Sequence, residues 1–181
     1  MPALRQSFPA RLADLEFSIQ PPTGFVAHDL PAEEHNFENP TTCAPLMIMA
    51  SQVAMAVVTV AARPAYDDGG VMDWTRYLAE NAGITLTGLM PGALGGDKFE
   101  HPAILAEGHQ TQEGTLLRLR FAVLEDGGRL VTILAMCPDE LWPSFGAALE
   151  EAVKSFELAR PKGPTAALVP GAGAPALKTR N

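Results

Sequence analysis

The chain has 181 residues, 47% of them hydrophobic and 19% charged, which is typical of one globular domain with an appendage. The net charge is −8, and residues 160–181 contain four basic and no acidic residues. Residues 1–159 therefore keep 9 of the 13 basic residues and all 21 acidic ones, a charge of −12. Such an acidic body repels phosphate backbones and anionic lipid surfaces, so nucleic acid is excluded as an expected partner.

The composition predicts a single domain over residues 1–159 and a flexible, basic, Ala/Pro/Gly-rich tail over residues 160–181. Residues 1–15 contain no apolar run like that of a secretory signal peptide. The most apolar stretch, residues 45–62, is interrupted by polar residues, and its β-branched residues favour a buried strand over a membrane helix. We therefore expect no membrane insertion.

The two cysteines, Cys43 and Cys137, accompany no CxxC or HxxxH spacing, so the sequence predicts no metal site and no cofactor. We expect buried free thiols and a cytoplasmic location, because disulfides are rare in reducing compartments. A catalytic dyad of Cys137 with a histidine stays open at this point, since its members could meet only in space.

Hydrophobic periodicity and turn residues predict the elements of the first half of the chain. In chain order they are a strand over residues 15–20, a loop over 29–45 with one short strand near Phe37, strands over 46–50 and 53–63, and a helix over 71–82. The strand over residues 53–63 has small or β-branched side chains on both faces, which indicates cover on both sides.

The second half predicts an antiparallel meander followed by a helix. Its elements are a short strand over 84–90, a loop over 91–98, strands over 99–109, 115–125 and 129–136, a helix beginning near Pro143 and an edge segment over 155–158. The strand over 129–136 is apolar on both faces and needs cover on both. The expected fold class is therefore α+β, a mainly antiparallel sheet covered by helices on both faces in a three-layer α/β/α sandwich.

Catalytic and metal-binding motifs are not recognisable in the sequence. The glycine-rich residues 92–98 lack the glycine before Lys98 and the Ser or Thr after it that a phosphate loop needs. His101 and His109 share a predicted strand but lie eight residues, about 26 Å, apart, too far to bind one metal ion. No serine stands in a nucleophile elbow.

Five residues are candidates for binding. Arg118 and Arg120 share one face of a predicted strand and could clamp a carboxylate or a phosphate. The alternative is cross-strand ion pairing of these arginines with Glu107 or Glu113. The aromatic residues Trp74, Tyr77 and Trp142 could form a binding patch, although aromatic residues at helical spacing also pack in cores, and Trp142 is expected to be the more exposed tryptophan.

A series of short motifs occurs in a recognisable order. A strand ends in Pro21-Pro22-Thr23-Gly24-Phe25, a helix carries Trp74-Thr75-Arg76-Tyr77-Leu78, a loop carries Leu94-Gly95-Gly96, a hairpin carries Gly127-Gly128-Arg129-Leu130, and the last helix leads into Ser155-Phe156-Glu157-Leu158. This order resembles the PsbP-like superfamily of PsbP, Mog and DcrB-type proteins over about residues 12–159. The resemblance implies a central antiparallel sheet between helices and non-enzymatic work, such as binding a protein partner, assembly, or chaperoning secreted effectors.

The sequence therefore predicts a non-enzymatic protein-binding or chaperone-like module with an exposed apolar patch on the sheet or beside Trp142. The alternative is a binder of small anionic molecules, or an enzyme, with a cleft of about 300 Å³ or more near Arg118 and Arg120. A third possibility is a homodimer formed through a face or an edge of the sheet.

Overall fold

The computed structural model describes residues 15–30, 42–65, 70–95 and 100–159 of the chain. In chain order their elements are β1 (Phe17–Ser18), β2 (Phe25–Asp29), β3 (Ala44–Ser51), β4 (Val57–Pro64), α1 (Val71–Asn81), β5 (Thr85–Leu94), β6 (His101–Gln112), β7 (Thr115–Asp126), β8 (Arg129–Pro138), a 3₁₀-helix (Asp139–Leu141), α2 (Trp142–Lys154) and β9 (Glu157–Leu158). The short strand predicted near Phe37 and the predicted tail lie outside the described residues.

Seven strands form one antiparallel sheet in the order β2-β3-β4-β8-β7-β6-β5. Two-residue turns at Glu113-Gly114 and Gly127-Gly128 join β6 to β7 and β7 to β8, and all four residues have positive φ. Positive φ at both central residues is the type I′ turn, whose twist matches the flanking strands. The strands β1 and β9 form a separate antiparallel pair.

The predicted loop over residues 91–98 is wrong at its start, because Pro91 and Gly92 lie within β5. Since β5 forms one edge of the sheet, it tolerates a proline without an N–H donor better than a central strand would. Gly92 leaves the space that the Leu105 side chain of β6 occupies, 2.6 Å from where a Cβ would stand. The strand β2 was not predicted, and β4 begins at Val57 because the preceding residues turn the chain.

Each helix packs on part of one sheet face. The α1 face is marked by the buried β7 side chains of Leu117, Leu119, Phe121 and Val123, which cluster with Trp74 and Ala79 of α1. The α2 face is marked by Ala122, Leu124, Ile133 and Ala135, which cluster with Leu149, Ala152 and Val153 of α2. The main sheet contacts of α1 are with β5, β6 and β7, and those of α2 are with β4, β7 and β8.

The fold is thus a mostly antiparallel sheet with two helices, as the fold class predicts at the coarser level. The finer prediction, a sheet covered by helices on both faces, is met only in part within the described residues. Since α1 lies over one side of the sheet and α2 over the middle of the opposite face, each face keeps a region on which no described helix packs.

Candidate functional site

Nine side chains on the α1 face of β2, β3, β4 and β8 lie beside the region that α1 covers. They are Val26, His28, Ile48, Ala50, Val57, Thr59, Ala61, Leu134 and Met136. None of them is fully buried, although seven are apolar. By contrast, Val58, Val60 and Ile133, on the α2 face of β4 and β8, are 0% exposed. We call the seven apolar members, without His28 and Thr59, the apolar surface.

The apolar surface continues onto the turn between β3 and β4. Val53 and Met55 in this turn are 89% and 73% exposed, and Val26 at the adjoining end of β2 is 37% exposed. The residues from 50 to 56 contain no charge. A connected group of exposed apolar side chains at a sheet end is a feature of interaction sites. Its one signal in the sequence is the pattern of small and β-branched side chains on both faces of β4.

A second, polar region lies at the margin of α2, on the α2 face of β6 and β7. Arg120 is bound there from both sides, because its Nη1 contacts Glu107 Oε2 and its Nε lies 3.0 Å from Glu150 Oε1. Glu107 leans over Gly88 of β5, where a Cβ would lie 2.8 Å from its carboxylate. Cross-strand pairing therefore describes Arg120, with Glu150 of α2 as an additional partner.

Arg118 lies two residues earlier on the same strand face but has a different partner. Its guanidinium carbon lies 4.9 Å from the ring centroid of Trp142, at the start of α2. The Trp142 indole in turn lies against Gly146, where a Cβ would stand 2.5 Å from the indole Nε1. Gly146, one helical turn after Trp142, thus leaves space for the indole ring on which Arg118 stacks.

His109 and Asp139 lie next to this stack, with His109 Nε2 3.4 Å from Asp139 Oδ1. Burial raises the pKa of the Cys137 thiol, and the Asp139 charge raises it further, while Arg118 acts in the opposite direction. The dyad of Cys137 with His109 does not form, because the two residues lie on β8 and β6, on either side of β7. In the strand register, Arg118 of β7 stands between them. Two strand spacings, about 9.6 Å, separate them, and Cys137 is 0% exposed.

Trp74 and Tyr77 lie on α1 and are apart from the other three candidate residues. Trp74 is only 5% exposed and belongs to the core of the α1 face, where the Arg63 guanidinium lies 5.9 Å from its ring. Tyr77 is half-buried on the same helix. Nearby, burial raises the pKa of Cys43 to about 11, although the Arg63 charge opposes the shift. Both cysteines are free thiols.

Two cavities flank α2. The one beside Arg120 and Glu150, also lined by Leu105 and Val153, has a volume of about 120 Å³. This is smaller than the roughly 300 Å³ that small-molecule sites usually need. A groove of about 340 Å³ lies on the other side of α2, against Pro21, Pro22 and Thr23, and is far more open to solvent than an enclosed site. The larger volume is therefore not next to the arginines.

Within the described ranges no group of three or more His, Cys, Asp and Glu side chains is placed to hold a metal ion. In the same part of the chain, no helix has both the length and the apolar character needed to cross a membrane.

Known structures share the fold, whereas no family model and no curated protein matches the chain. LpqN of Mycobacterium tuberculosis, a protein involved in cell envelope biogenesis, matches with a TM-score of 0.56 and 11% identity over 88% of this chain and 90% of its own. Cyanobacterial PsbP (CyanoP) of Synechocystis matches with a TM-score of 0.53 and 12% identity over 81% and 94%.

A Pseudomonas aeruginosa protein of unknown function, described as a candidate regulator, matches with a TM-score of 0.52 and 19% identity over 76% of this chain and 98% of its own. Identities this low establish a shared fold and leave function to be argued from the site. The resemblance expected from the sequence is confirmed at that level: the chain has a PsbP-like fold.

Proposed function

We propose that this protein is a non-enzymatic protein-binding module that holds an apolar segment of another protein on its apolar surface, in the manner of a chaperone. The observation that carries the proposal is the contrast in burial between the two faces of β3, β4 and β8. Val58 and Ile133 are 0% exposed, whereas their chain neighbours Val57 and Leu134 on the opposite face are only half-buried. Burying such side chains against a partner contributes about 25 cal/mol per Å² of apolar area.

The charge of the molecule supports a partner that is apolar with neutral or basic flanks. The apolar surface itself bears no charge, so it does not demand an acidic or basic group in the bound segment. The surrounding body, residues 1–159, carries a charge of −12. A second copy would bring the same charge, so repulsion opposes self-association, whereas a basic flank would speed association.

The comparisons and the thiols agree with this proposal without deciding it. The similar structures include a candidate regulator and a protein involved in cell envelope biogenesis, and neither description names a reaction. Cys43 and Cys137 are free and belong to cores on opposite faces of the sheet. Free thiols suit a reducing compartment, so we include a cytoplasmic location in the proposal.

A labelled peptide tests the proposal directly. The probe is a fluorescein-labelled peptide amide of nine alternating leucines and alanines with two lysines at each end, and the readout is fluorescence anisotropy. We expect saturable binding that weakens about tenfold or more in the double variant Ile48→Gln/Met136→Gln, since both changes place an amide in the contact area. Met90→Gln is the matched control, because Met90 is 57% exposed on β5, on the other sheet face.

Replacing the flanking lysines of the probe with aspartates should weaken binding, and the loss should shrink as salt is added. The proposal fails if the Lys-flanked peptide does not bind, or if Met90→Gln weakens binding as much as the double variant. A dimer in light scattering that the double variant dissociates would also overturn it, because the surface would then belong to a second copy.

A further inference from the structure

The positions of the basic residues single out Arg118. The described part of the chain contains six basic residues: Arg63, Arg76, Arg118, Arg120, Arg129 and Lys154. Four of them form ion pairs with carboxylates: Arg76, Arg120, Arg129 and Lys154. Arg63 is 0% exposed and lies beside Trp74. Arg118 is half-buried, has no ion pair with a described carboxylate, and stacks on Trp142 instead.

This stacking prepares the arginine for a planar anion. A guanidinium that lies over an aromatic ring uses its face, so its N–H donors stay available at its edge. A fixed guanidinium also loses less conformational entropy when it binds a carboxylate through two parallel hydrogen bonds. Gly146 fixes the ring beneath it, because no side chain other than hydrogen leaves space for the indole at this position.

The surroundings of Arg118 favour a carboxylate with an adjoining apolar group. Leu116, on the same strand face, is 47% exposed and offers an apolar contact beside the guanidinium. Asp139 and Arg118 both lie close enough to Cys137 to shift the pKa of its thiol, in opposite directions. The side-chain contact of Asp139, however, is with His109 and not with Arg118. The body charge of −12 opposes small anions at long range. Recognition of a carboxylate ligand therefore depends on the positive charge of Arg118 and on short-range contacts of the ligand with Leu116 and Trp142.

We propose that Arg118, stacked on Trp142 and flanked by Leu116, is a binding site for one carboxylate attached to an apolar group. The site lies on the α2 face, separate from the apolar surface, and does not depend on the proposed function. Arg120 takes no part, since Glu107 and Glu150 already occupy its donors. The carboxylate can come from a small organic acid or from an acidic side chain in a polypeptide, and the two sources can be told apart.

The test is a titration of the intact, ¹⁵N-labelled protein that follows the Arg Nε–Hε and Trp Nε1–Hε1 signals by NMR. The probes are hydrocinnamate with its neutral amide, and the peptide Ac-Leu-Glu-Leu-amide with its Gln counterpart. We expect saturable shifts of the Arg118 and Trp142 signals, with the neutral member of each pair binding about tenfold more weakly. Tighter binding of hydrocinnamate assigns a small organic acid, and tighter binding of the peptide assigns an acidic side chain.

Two variants extend the titration. Arg118→Gln should abolish the Trp142 shift, whereas Arg76→Gln, which changes an exposed arginine on α1, should leave it unchanged. The inference is overturned if neither acid gives a saturable shift, if the neutral probes bind equally well, or if the Arg76 and Arg120 signals shift as much as that of Arg118. The wild-type titration decides the question even where a variant fails to fold.

Discussion

Two regions of the sheet, each beside one of the helices, carry opposite kinds of side chain. The apolar surface consists of seven apolar side chains among the nine at these positions on the α1 face of β2, β3, β4 and β8. The region on the α2 face of β6 and β7 instead carries charged groups, including Arg118, Arg120 and Glu107. Water can hydrogen-bond to the groups of a polar surface. Apolar side chains that stay in contact with water could instead contribute further hydrophobic free energy if a partner buried them.

The two arginines of the polar region are held in place by different contacts. Arg120 lies between Glu107 and Glu150 on one side, and Arg118 lies on Trp142 on the other, so both cations are held in place. On the apolar surface, Leu134 and Met136 pack against the core of the α1 face, whereas the other five side chains belong to neither core cluster of the described residues. The contrast is the basis for proposing a protein-binding role for the apolar surface and a narrower carboxylate site at Arg118.

The largest expected effect tests whether the apolar surface is in fact less covered than the opposite face. Val57 and Val58 are neighbours of the same residue type on opposite faces of β4, and Val58 is 0% exposed. Val58→Ala should lower the free energy of unfolding by about 2–3 kcal/mol, through lost transfer energy and a cavity. Val57→Ala should cost less than about 1 kcal/mol, because its side chain is only half-buried.

Urea denaturation at equal m-values measures both changes. Equal losses for the two variants would mean that Val57 is as well packed as Val58. The apolar surface would then be part of the core, and the contrast between the two regions would disappear.

A smaller effect tests how firmly the Arg118 stack is built. Gly146→Ala would place a Cβ 2.5 Å from the Trp142 Nε1, so the ring must move. Overpacking of this kind costs about 1–3 kcal/mol, and the better helix propensity of alanine returns about 1 kcal/mol. We expect a net loss of stability of about 1 kcal/mol and a changed tryptophan emission spectrum.

The control is a cycle with Trp142→Ala, which removes all three ring atoms that the new methyl group would meet. In that background Gly146→Ala should be neutral or stabilising, so the two substitutions are strongly coupled. An additive result would show that the ring does not depend on Gly146.

Strand alternation predicted which side chains share a face, but not which faces the helices cover. The period of two correctly separated Arg118 and Arg120 from Leu117, Leu119 and Phe121. It also predicted that β8, apolar on both faces, would be covered twice. That inference is met only in part: Leu134 and Met136 pack against the margin of the α1-face core but stay half-buried, because the main sheet contacts of α1 are with β5, β6 and β7.

The five predicted site residues lie in two separate places for a similar reason. Tertiary packing brings Trp142 to Arg118, from an element 24 positions later in the chain, and places Glu150 beside Arg120. No local pattern in the sequence predicts these two contacts, because each joins residues that are far apart in the chain. Trp74 and Tyr77 lie on α1 and belong to the opposite face. The alternation of charged and apolar residues thus predicted which β7 side chains share a face. Which residues those side chains contact depends on tertiary packing.

The smallest expected effect concerns the end of the sheet where β6 turns into β7, close to Leu116. Glu113 has φ 50° and is the only described residue other than glycine with a positive φ. A left-handed conformation costs a residue with a Cβ roughly 1 kcal/mol, and asparagine tolerates it better than glutamate. Glu113→Asn should therefore stabilise the protein by about 0.5 kcal/mol, with unchanged shifts for Arg118 and Trp142. Glu113→Gln removes the same charge but keeps the strain, so thermal unfolding should show no gain; an equal gain would assign the effect to charge in an acidic body.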